Sequence, residues 1–258
     1  PTRRSSDLYK SKNIRGVFMK IYSQGDQAII VAIQKDVSKD VTQQLLLLRD
    51  YLVKQDLPFI VEIVPTESDM MIVYDARDMI KHHHIESPYQ HMKHLIEQIS
   101  QADLEQTAAT QTKQICDIPV VYGGTYGPDL EPLLQEYGLD FETFVNLHTS
   151  EAYFVSMMGY SPGFPYLSGL NESLYVNHTS ANKKKVPAGS VILEGKKCGI
   201  VTTDTYNDWL VIGYTPLQLF YPDQADFTLI KLGDSVTFKA IAEDEIELGA
   251  YEPCRLKL

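Results

Sequence analysis

The sequence predicts an α+β protein in two parts, a ferredoxin-like α+β unit followed by a closed or sandwiched β structure. Three observations carry this. Hydrophobic patterns in the N-terminal half run in the order β α β β α when read from Ala28. Between Gln101 and Gln114 the composition drops to Gln, Thr, Ala and charge, which cannot bury much apolar area and reads as a connection. From Tyr153 onward, short strand-like runs are punctuated by Gly and Pro, with no long helical pattern. The expected organisation is an α+β domain over 9–101, a linker over 102–116 and a β domain over 117–258. The octamer Pro1–Leu8, PTRRSSDL, matches the translation of a sequencing-library adapter and is left out of these expectations.

Element by element, Ile14–Tyr22 is rich in β-branched and aromatic residues, and Gly25-Asp26 turns the chain into the apolar run Ala28–Ile33, predicting two strands. Over Asp36–Lys54, Val37, Val41, Leu45, Leu48 and Leu52 recur every three or four residues, the stripe of an amphipathic helix. Phe59–Val64 and Met70–Tyr74 predict strands. In Ser87–Ser100, a cap candidate Ser87 and Pro88 at the first helical position precede Met92, Leu95, Ile96 and Ile99 at helical spacing. A strand at Ile118–Tyr122 is expected to complete the ferredoxin-like unit, which then has one extra leading strand. Asp129–Tyr137 and Asp140–Leu147 predict short helices, the second capped by Asp140. Strands are expected at Tyr153–Met158, Ser190–Leu193, Cys198–Val201, Leu210–Ile212 and Ser235–Ala240.

The formal net charge of −11 and pI of about 5.1 argue against nucleic acid or an anionic membrane surface as main partner. No apolar stretch approaches the roughly 20 residues that span a bilayer, so a cytoplasmic protein is expected. The three cysteines, Cys116, Cys198 and Cys254, lack CxxC spacing and are expected to be reduced. His82, His83, His84, His91 and His94 cluster, but no Cys or acidic pair completes a zinc spacing, so no metal site is expected.

Two segments can carry chemistry. Gly159–Tyr166 holds two prolines, two glycines and three aromatics, a stiff loop that presents rings either to a ligand or to the core. Lys183-Lys184-Lys185 leads into Val186-Pro187-Ala188-Gly189-Ser190, where lysines beside free backbone amides could hold a carboxylate or phosphate, or form a solvated loop. Gly195–Gly199 is a basic turn without a P-loop ending.

The segments PGFPYLSGL at 162–170, VPAGSV at 186–191, Gly199-Ile200, TPLQLF at 215–220 and Gly233-Asp234 carry a resemblance, together with IPVVYGG at 118–124, GPDL at 127–130 and LHTS at 147–150. In their order and spacing the chain resembles the family that includes the 5-oxoprolinase B subunit, also described as KipI-like or allophanate hydrolase subunit 1, the carboxyltransferase subdomain C/D. The resemblance implies a cyclophilin-like β-barrel as the C-terminal domain and work with C-type and A-type partner subunits of 5-oxoprolinase. Such complexes open 5-oxo-L-proline to L-glutamate at the expense of ATP, with Mg as its counterion. Other members of the family bind a sensor histidine kinase and block its autophosphorylation, and a fused version forms part of urea carboxylase.

On this resemblance His148 is expected as acid/base or phosphate partner at the mouth of the barrel, beside Phe164 and Tyr166. Tyr153, Gly163, Phe164, Tyr166, Lys183, Lys185, Pro187, Gly189 and Ser190 are the expected substrate or nucleotide contacts. The chain departs from the family pattern at Thr205-Tyr206-Asn207-Asp208, where the family has Ser-Pro-Gly-Gly before the tryptophan that here is Trp209. It departs again at Tyr214, where the family has Arg, and at Lys183, where it tends to have Arg. A lost guanidinium fork removes bidentate recognition of carboxylate or phosphate, which leaves the choice between a catalytic role and kinase inhibition open at this point.

Overall fold

The computed structural model describes residues 12–14, 17–33, 38–99, 114–177, 183–248 and 254–256. The chain divides into two compact units, with the division between Gln111 and Thr112. The octamer 1–8 and the expected linker over 102–113 lie outside the described residues. Residues 114–116, also assigned to the linker, instead open the first strand of the second unit.

The first unit is a five-stranded antiparallel sheet of β1 (Lys12–Ile14), β2 (Val17–Ser23), β3 (Ala28–Ile33), β4 (Ile60–Pro65) and β5 (Asp69–Tyr74), in the order β1-β2-β3-β5-β4. Helices α1 (Lys39–Lys54), α2 (Ala76–Lys81) and α3 (Pro88–Ile99) accompany it. Alternate residues Ile29, Val31 and Ile33 of β3 and Met70, Ile72 and Tyr74 of β5 face the core, as a two-residue period requires. Leu45, Leu48 and Leu52 of α1 and Met92, Ile96 and Ile99 of α3 meet them at helical spacing. The Ser38 Oγ accepts from the Val41 N–H at 3.3 Å and starts α1 there, later than expected.

One topological expectation is corrected. The strand at Ile118 does not complete this sheet; the place beside β3 is taken by β2, paired from Met19↔Ile33 to Ser23↔Ile29. A hairpin through Gly25, whose φ is 67°, closes a loop of a few residues, whereas a strand more than eighty residues away would lose far more chain entropy.

The second unit contains β6 (Gln114–Tyr122), α4 (Leu130–Tyr137), α5 (Phe141–Thr149), β7 (Tyr153–Met158), β8 (Pro165–Ser168), β9 (Lys184–Val186), β10 (Ser190–Glu194), β11 (Lys197–Ile200), β12 (Thr205–Asn207), β13 (Leu210–Tyr214), β14 (Ser235–Ala240) and β15 (Cys254–Leu256). Seven strands close into a barrel in the order β13-β10-β11-β8-β7-β14-β6, with β6 returning to β13. The closing seam is only two residue pairs long, Gly213↔Tyr122 and Tyr214↔Val121. Gly213 is required there, because a Cβ would stand 2.7 Å from the Val121 carbonyl oxygen. Strands β9 and β12 form a separate two-stranded ribbon.

Inward-facing Ile118, Val120, Val155, Leu167, Val191, Leu193, Ile200, Ile212, Val236 and Phe238 fill the barrel, joined by Leu130, Leu133, Leu134 and Phe144 of the two helices. The Asp140 carboxylate accepts from the Thr143 N–H at 2.8 Å, the expected cap of α5. The expectation of reduced thiols is corrected for two of the three cysteines. Cys116 and Cys254 face each other across β6 and β15 and form a disulfide, while Cys198 is a free thiol inside the barrel. Widely separated positions say nothing about strand pairing, so cysteine spacing alone missed it. Among the described residues no helix is long and apolar enough to cross a membrane.

Candidate functional site

The site grows from the outer face of four barrel strands. Pleat alternation sends Val191 and Leu193 of β10 inward and Ile192 outward, and does the same for Leu210, Ile212 and Val211 of β13. Outside, Ile192 and Val211 join Phe164, Val186 and Val201 in a second small core, flanked by Tyr166 and Trp209. Phe164 reaches it because Gly199 of β11 leaves room: a Cβ there would lie 2.6 Å from the phenyl ring. Loop 159–164 is fastened across this face. The Tyr160 hydroxyl donates to the Tyr206 carbonyl at 2.8 Å, and the Thr202 hydroxyl donates to the Pro162 carbonyl at 2.7 Å. These bonds hold Tyr160 at a φ of 66°, a conformation that side chains rarely adopt and that local contacts must impose.

Between this face, the β9 strand and the turn after β6 lies a cavity of about 440 Å³, lined by Thr125, Tyr126, Pro128, Lys184, Lys185, Val186, Pro187, Ser190, Val211 and Tyr214. Gly127 packs so tightly that a Cβ would meet the Ile212 carbonyl at 2.2 Å, which seats the turn on β13. The Tyr126 and Tyr214 rings stand 5.5 Å apart at 36°. Gly189, with φ 89°, runs under Tyr214, whose ring would lie 2.5 Å from any Cβ. Asp129 occupies the N-cap position of α4 yet makes no side-chain capping bond. Its Oδ2 instead accepts from the Lys184 ammonium and, at 2.6 Å, from the Val211 N–H. Lys185 pairs with Asp204 at 3.4 Å. The Ala188 N–H donates to the Asp204 carboxylate at 3.0 Å, and with Lys185 it holds that carboxyl below its usual range.

On the other side of the ribbon, a cleft of about 60 Å³ is lined by Tyr160, Phe164, Tyr166, Lys183, Tyr206, Asn207, Asp208 and Trp209. The Asn207 side-chain oxygen accepts from the Trp209 N–H at 2.8 Å and turns the chain there. Lysines 183 and 184 therefore serve different recesses.

The sequence-predicted residues fall in four places. Lys185, Pro187 and Ser190 come together in the larger cavity, with Gly189 beneath Tyr214; Phe164, Tyr166 and Lys183 meet in the smaller cleft. Gly163, at φ 75°, packs against Phe220 and Thr228 as a turn and lines neither recess. The expected free amides are also corrected: those of Ala188, Gly189 and Ser190 donate to Asp204, Val201 and Pro187.

His148 does not stand at the barrel mouth. It is fully buried inside, stacked on Phe144 and in contact with Tyr153 and Phe238. The Tyr122 hydroxyl lies 2.8 Å from its Nδ1, and Cys198 Sγ lies 3.7 Å from its Nε2. Burial drops its pKa to about 3, so it is a neutral hydrogen-bonding ring at any physiological pH. Tyr153, expected as a ligand contact, is buried beside it and donates to the His148 carbonyl at 3.0 Å. The last turn of α5 points its side chain into the barrel, a direction that spacing from the PGFPY loop cannot reveal.

Sequence reasoning missed Asp129, which holds Lys184, and Tyr214 and Tyr126 as cavity residues, and it named Lys184 only within the basic run. The signal for Asp129 and Tyr126 lay in Gly123-Gly124-Thr125-Tyr126-Gly127-Pro128-Asp129, a glycine-rich turn that carries an aromatic and an acid. In the histidine-rich segment, His82 and His83 both close on the Asp78 carboxylate, at 2.7 and 3.1 Å. Among the described residues no three His, Cys, Asp or Glu side chains gather as a metal centre needs.

Comparison with known proteins places this geometry. Residues 19–230 match the family described as carboxyltransferase domain, subdomain C and D. The chain is 32% identical over 228 residues to the 5-oxoprolinase B subunit of Bacillus subtilis (strain 168), covering 88% of this chain and 94% of that protein. It is 32% identical over 219 residues to the 5-oxoprolinase B subunit of Escherichia coli O157:H7, covering 85% and 94%. Among solved structures, the urea amidolyase of Kluyveromyces lactis superposes with a TM-score of 0.71 over 94% of this chain and 16% of that one, at 14% identity, a likeness of fold.

Proposed function

The chain belongs to the carboxyltransferase subdomain C and D family, and from that premise we propose that it works as the B subunit of an ATP-dependent 5-oxoprolinase. In this reading it opens 5-oxo-L-proline to L-glutamate only together with C-type and A-type partner subunits. The carrying observation is the 32% identity to a 5-oxoprolinase B subunit that extends over 94% of that protein. The cavities on the outer barrel face support it, since they combine aromatic walls with ammonium groups as a small anionic ring compound requires.

The chemistry sets what the partners must share. A lactam carbonyl is a poor electrophile; transfer of the terminal phosphoryl group of ATP to its oxygen, with ADP leaving, lets water add at the ring carbon. The C–N bond then breaks with protonation of the nitrogen, and hydrolysis of the acyl phosphate so formed releases phosphate and leaves the carboxylate. ATP enters as a substrate, and its magnesium arrives on the phosphates. Lys183 in the cleft and Lys184 and Lys185 in the cavity supply positive charge for carboxylate or phosphate oxygens. His148 is buried in the barrel core and lines neither recess, so it is given no part in this reading.

Reconstitution tests the reading. The chain combined with A-type and C-type partners is expected to release glutamate from 5-oxo-L-proline in an ATP-dependent manner, and the chain alone to release none. Glutamate formation by the purified single chain, or an assembled complex that leaves 5-oxo-L-proline intact, overturns it.

A further inference from the structure

The larger cavity contains a polar group that the fold does not use. Ser190 is 1% exposed, lines the cavity, and its hydroxyl has no hydrogen-bond partner among the described residues. The hydroxyl is therefore available to a group that enters the cavity, and it can donate or accept. Beside it, the Lys184 ammonium gives one of its three donors to Asp129. Asp129 is the residue that abandons its helix cap to make this bond, and the Val211 N–H at 2.6 Å fixes the same carboxylate oxygen from behind. Lys184 is therefore held at the wall with donors to spare. The remaining lining is Thr125, Val186, Val211, two prolines and Lys185, which is paired with Asp204, faced by the Tyr126 and Tyr214 rings.

We propose that this cavity is the recognition site for a small ring bearing both an amide and a carboxylate, with Lys184 binding the carboxylate, Ser190 the amide, and Asp129 positioning Lys184. The proposal rests on the oxoprolinase reading for the identity of the ligand and goes beyond it in assigning the contacts. A five-membered lactam is flat enough to lie against a tyrosine pair, and its amide offers both an acceptor and a donor to a hydroxyl, which can act as either. The carboxylate matches an ammonium whose partner keeps it charged and in place. A purine also stacks on tyrosines and an ammonium also binds phosphate, but the amides of the 188–190 turn that would complete a phosphate cradle beside the lysines are all spent.

The test uses the full chain and four probes: 5-oxo-L-proline, 2-pyrrolidinone without the carboxylate, tetrahydrofuran-2-carboxylate without the amide, and ADP. Binding is read by ligand-observed NMR, with KM and kcat measured in the assembled complex. Each truncated probe is expected to bind about ten-fold or more weakly than 5-oxo-L-proline, the loss of one charge-assisted or buried hydrogen bond. Lys184→Met erases the preference for 5-oxo-L-proline over 2-pyrrolidinone, and Lys184→Arg restores part of it. Ser190→Ala erases the preference over tetrahydrofuran-2-carboxylate. Asp129→Asn, which retains an acceptor for Val211, raises KM more than it lowers kcat and leaves the melting temperature near wild type.

Equal binding of all three ring probes, undiminished binding by Lys184→Met, or displacement of 5-oxo-L-proline by ADP in the isolated chain overturns the assignment. The two readings fail separately. A complex that turns over 5-oxo-L-proline with an unaltered KM in Lys184→Met removes this site and keeps the function. Probe discrimination in a chain whose complex never opens the lactam removes the function and keeps the site.

Discussion

His148→Ala is expected to damage the barrel rather than the chemistry, and the size of the damage follows from its surroundings. The imidazole contacts Phe144, Tyr153 and Phe238, so truncation opens a ring-sized void that costs on the order of 3–5 kcal/mol. It also strips the buried Tyr122 hydroxyl of its partner at 2.8 Å, adding about 1–3 kcal/mol. For a unit of this size the melting temperature should fall by roughly 10–30 °C. A pH series sharpens the test. The pKa is about 3 in the folded barrel against about 6.5 in an unfolded chain. Between these values the unfolded chain takes up a proton that the folded one refuses. This contribution to stability is complete above pH 6.5 and is lost as pH falls toward 3, at about 1.4 kcal/mol per unit. His148→Gln keeps an acceptor for Tyr122 and cannot titrate, so the wild-type-minus-variant difference should shrink steadily over that window. Thermal denaturation followed by circular dichroism measures both effects, and turnover of the assembled complex should track the folded fraction. A His148→Ala protein that melts within about 3 °C of wild type while the complex loses on the order of 10²-fold in turnover would refute the structural assignment and return the imidazole to catalysis.

Three further outcomes are expected. Gly199→Ala puts a methyl 2.6 Å from the Phe164 ring and should cost about 1–3 kcal/mol, with Trp209 fluorescence shifting as the ring moves; an unchanged spectrum and melting point would show that the outer core is loose. Gly189→Ala meets both a left-handed backbone and the Tyr214 ring, so it should weaken 5-oxo-L-proline binding in the NMR assay as well as lower the melting temperature. Cys254→Ser removes a link spanning 138 residues and should lower the melting temperature under non-reducing conditions only, with intact mass showing two fewer hydrogens in the oxidised wild type; a wild-type melting point indifferent to reductant would speak against the bridge.

What could be read from the sequence followed the length of each pattern. Helix α1 and strands β7 and β14 were legible because sixteen or six residues of unbroken period leave little choice of partner face. Strands β8, β9 and β12 span three or four residues, too few to show alternation, and the first begins inside the aromatic segment that reads as a loop. Helix α2 also escaped, since its six residues are set by the Asp75 carboxylate accepting from Asp78 rather than by an apolar stripe. At the site, the basic run and the aromatic loop were visible as composition. Which lysine faces which recess depends on the pleat of a three-residue strand, and Asp129 is legible only as the first residue of a predicted helix, because sequence does not show where a carboxylate turns.

The two-pair seam between β13 and β6 has a consequence for how this protein comes off the ribosome. Strand β6 is made early, but it cannot find β13 until some ninety further residues have emerged, and β14, which flanks β6 on its other side, follows later still. Contacts so distant in sequence form slowly and late. Tyr214 is both a seam residue and a wall of the cavity, so a nascent chain halted before β13 carries every lysine of the 183–185 run and yet offers no pocket. Ligand affinity then becomes a gauge of barrel closure.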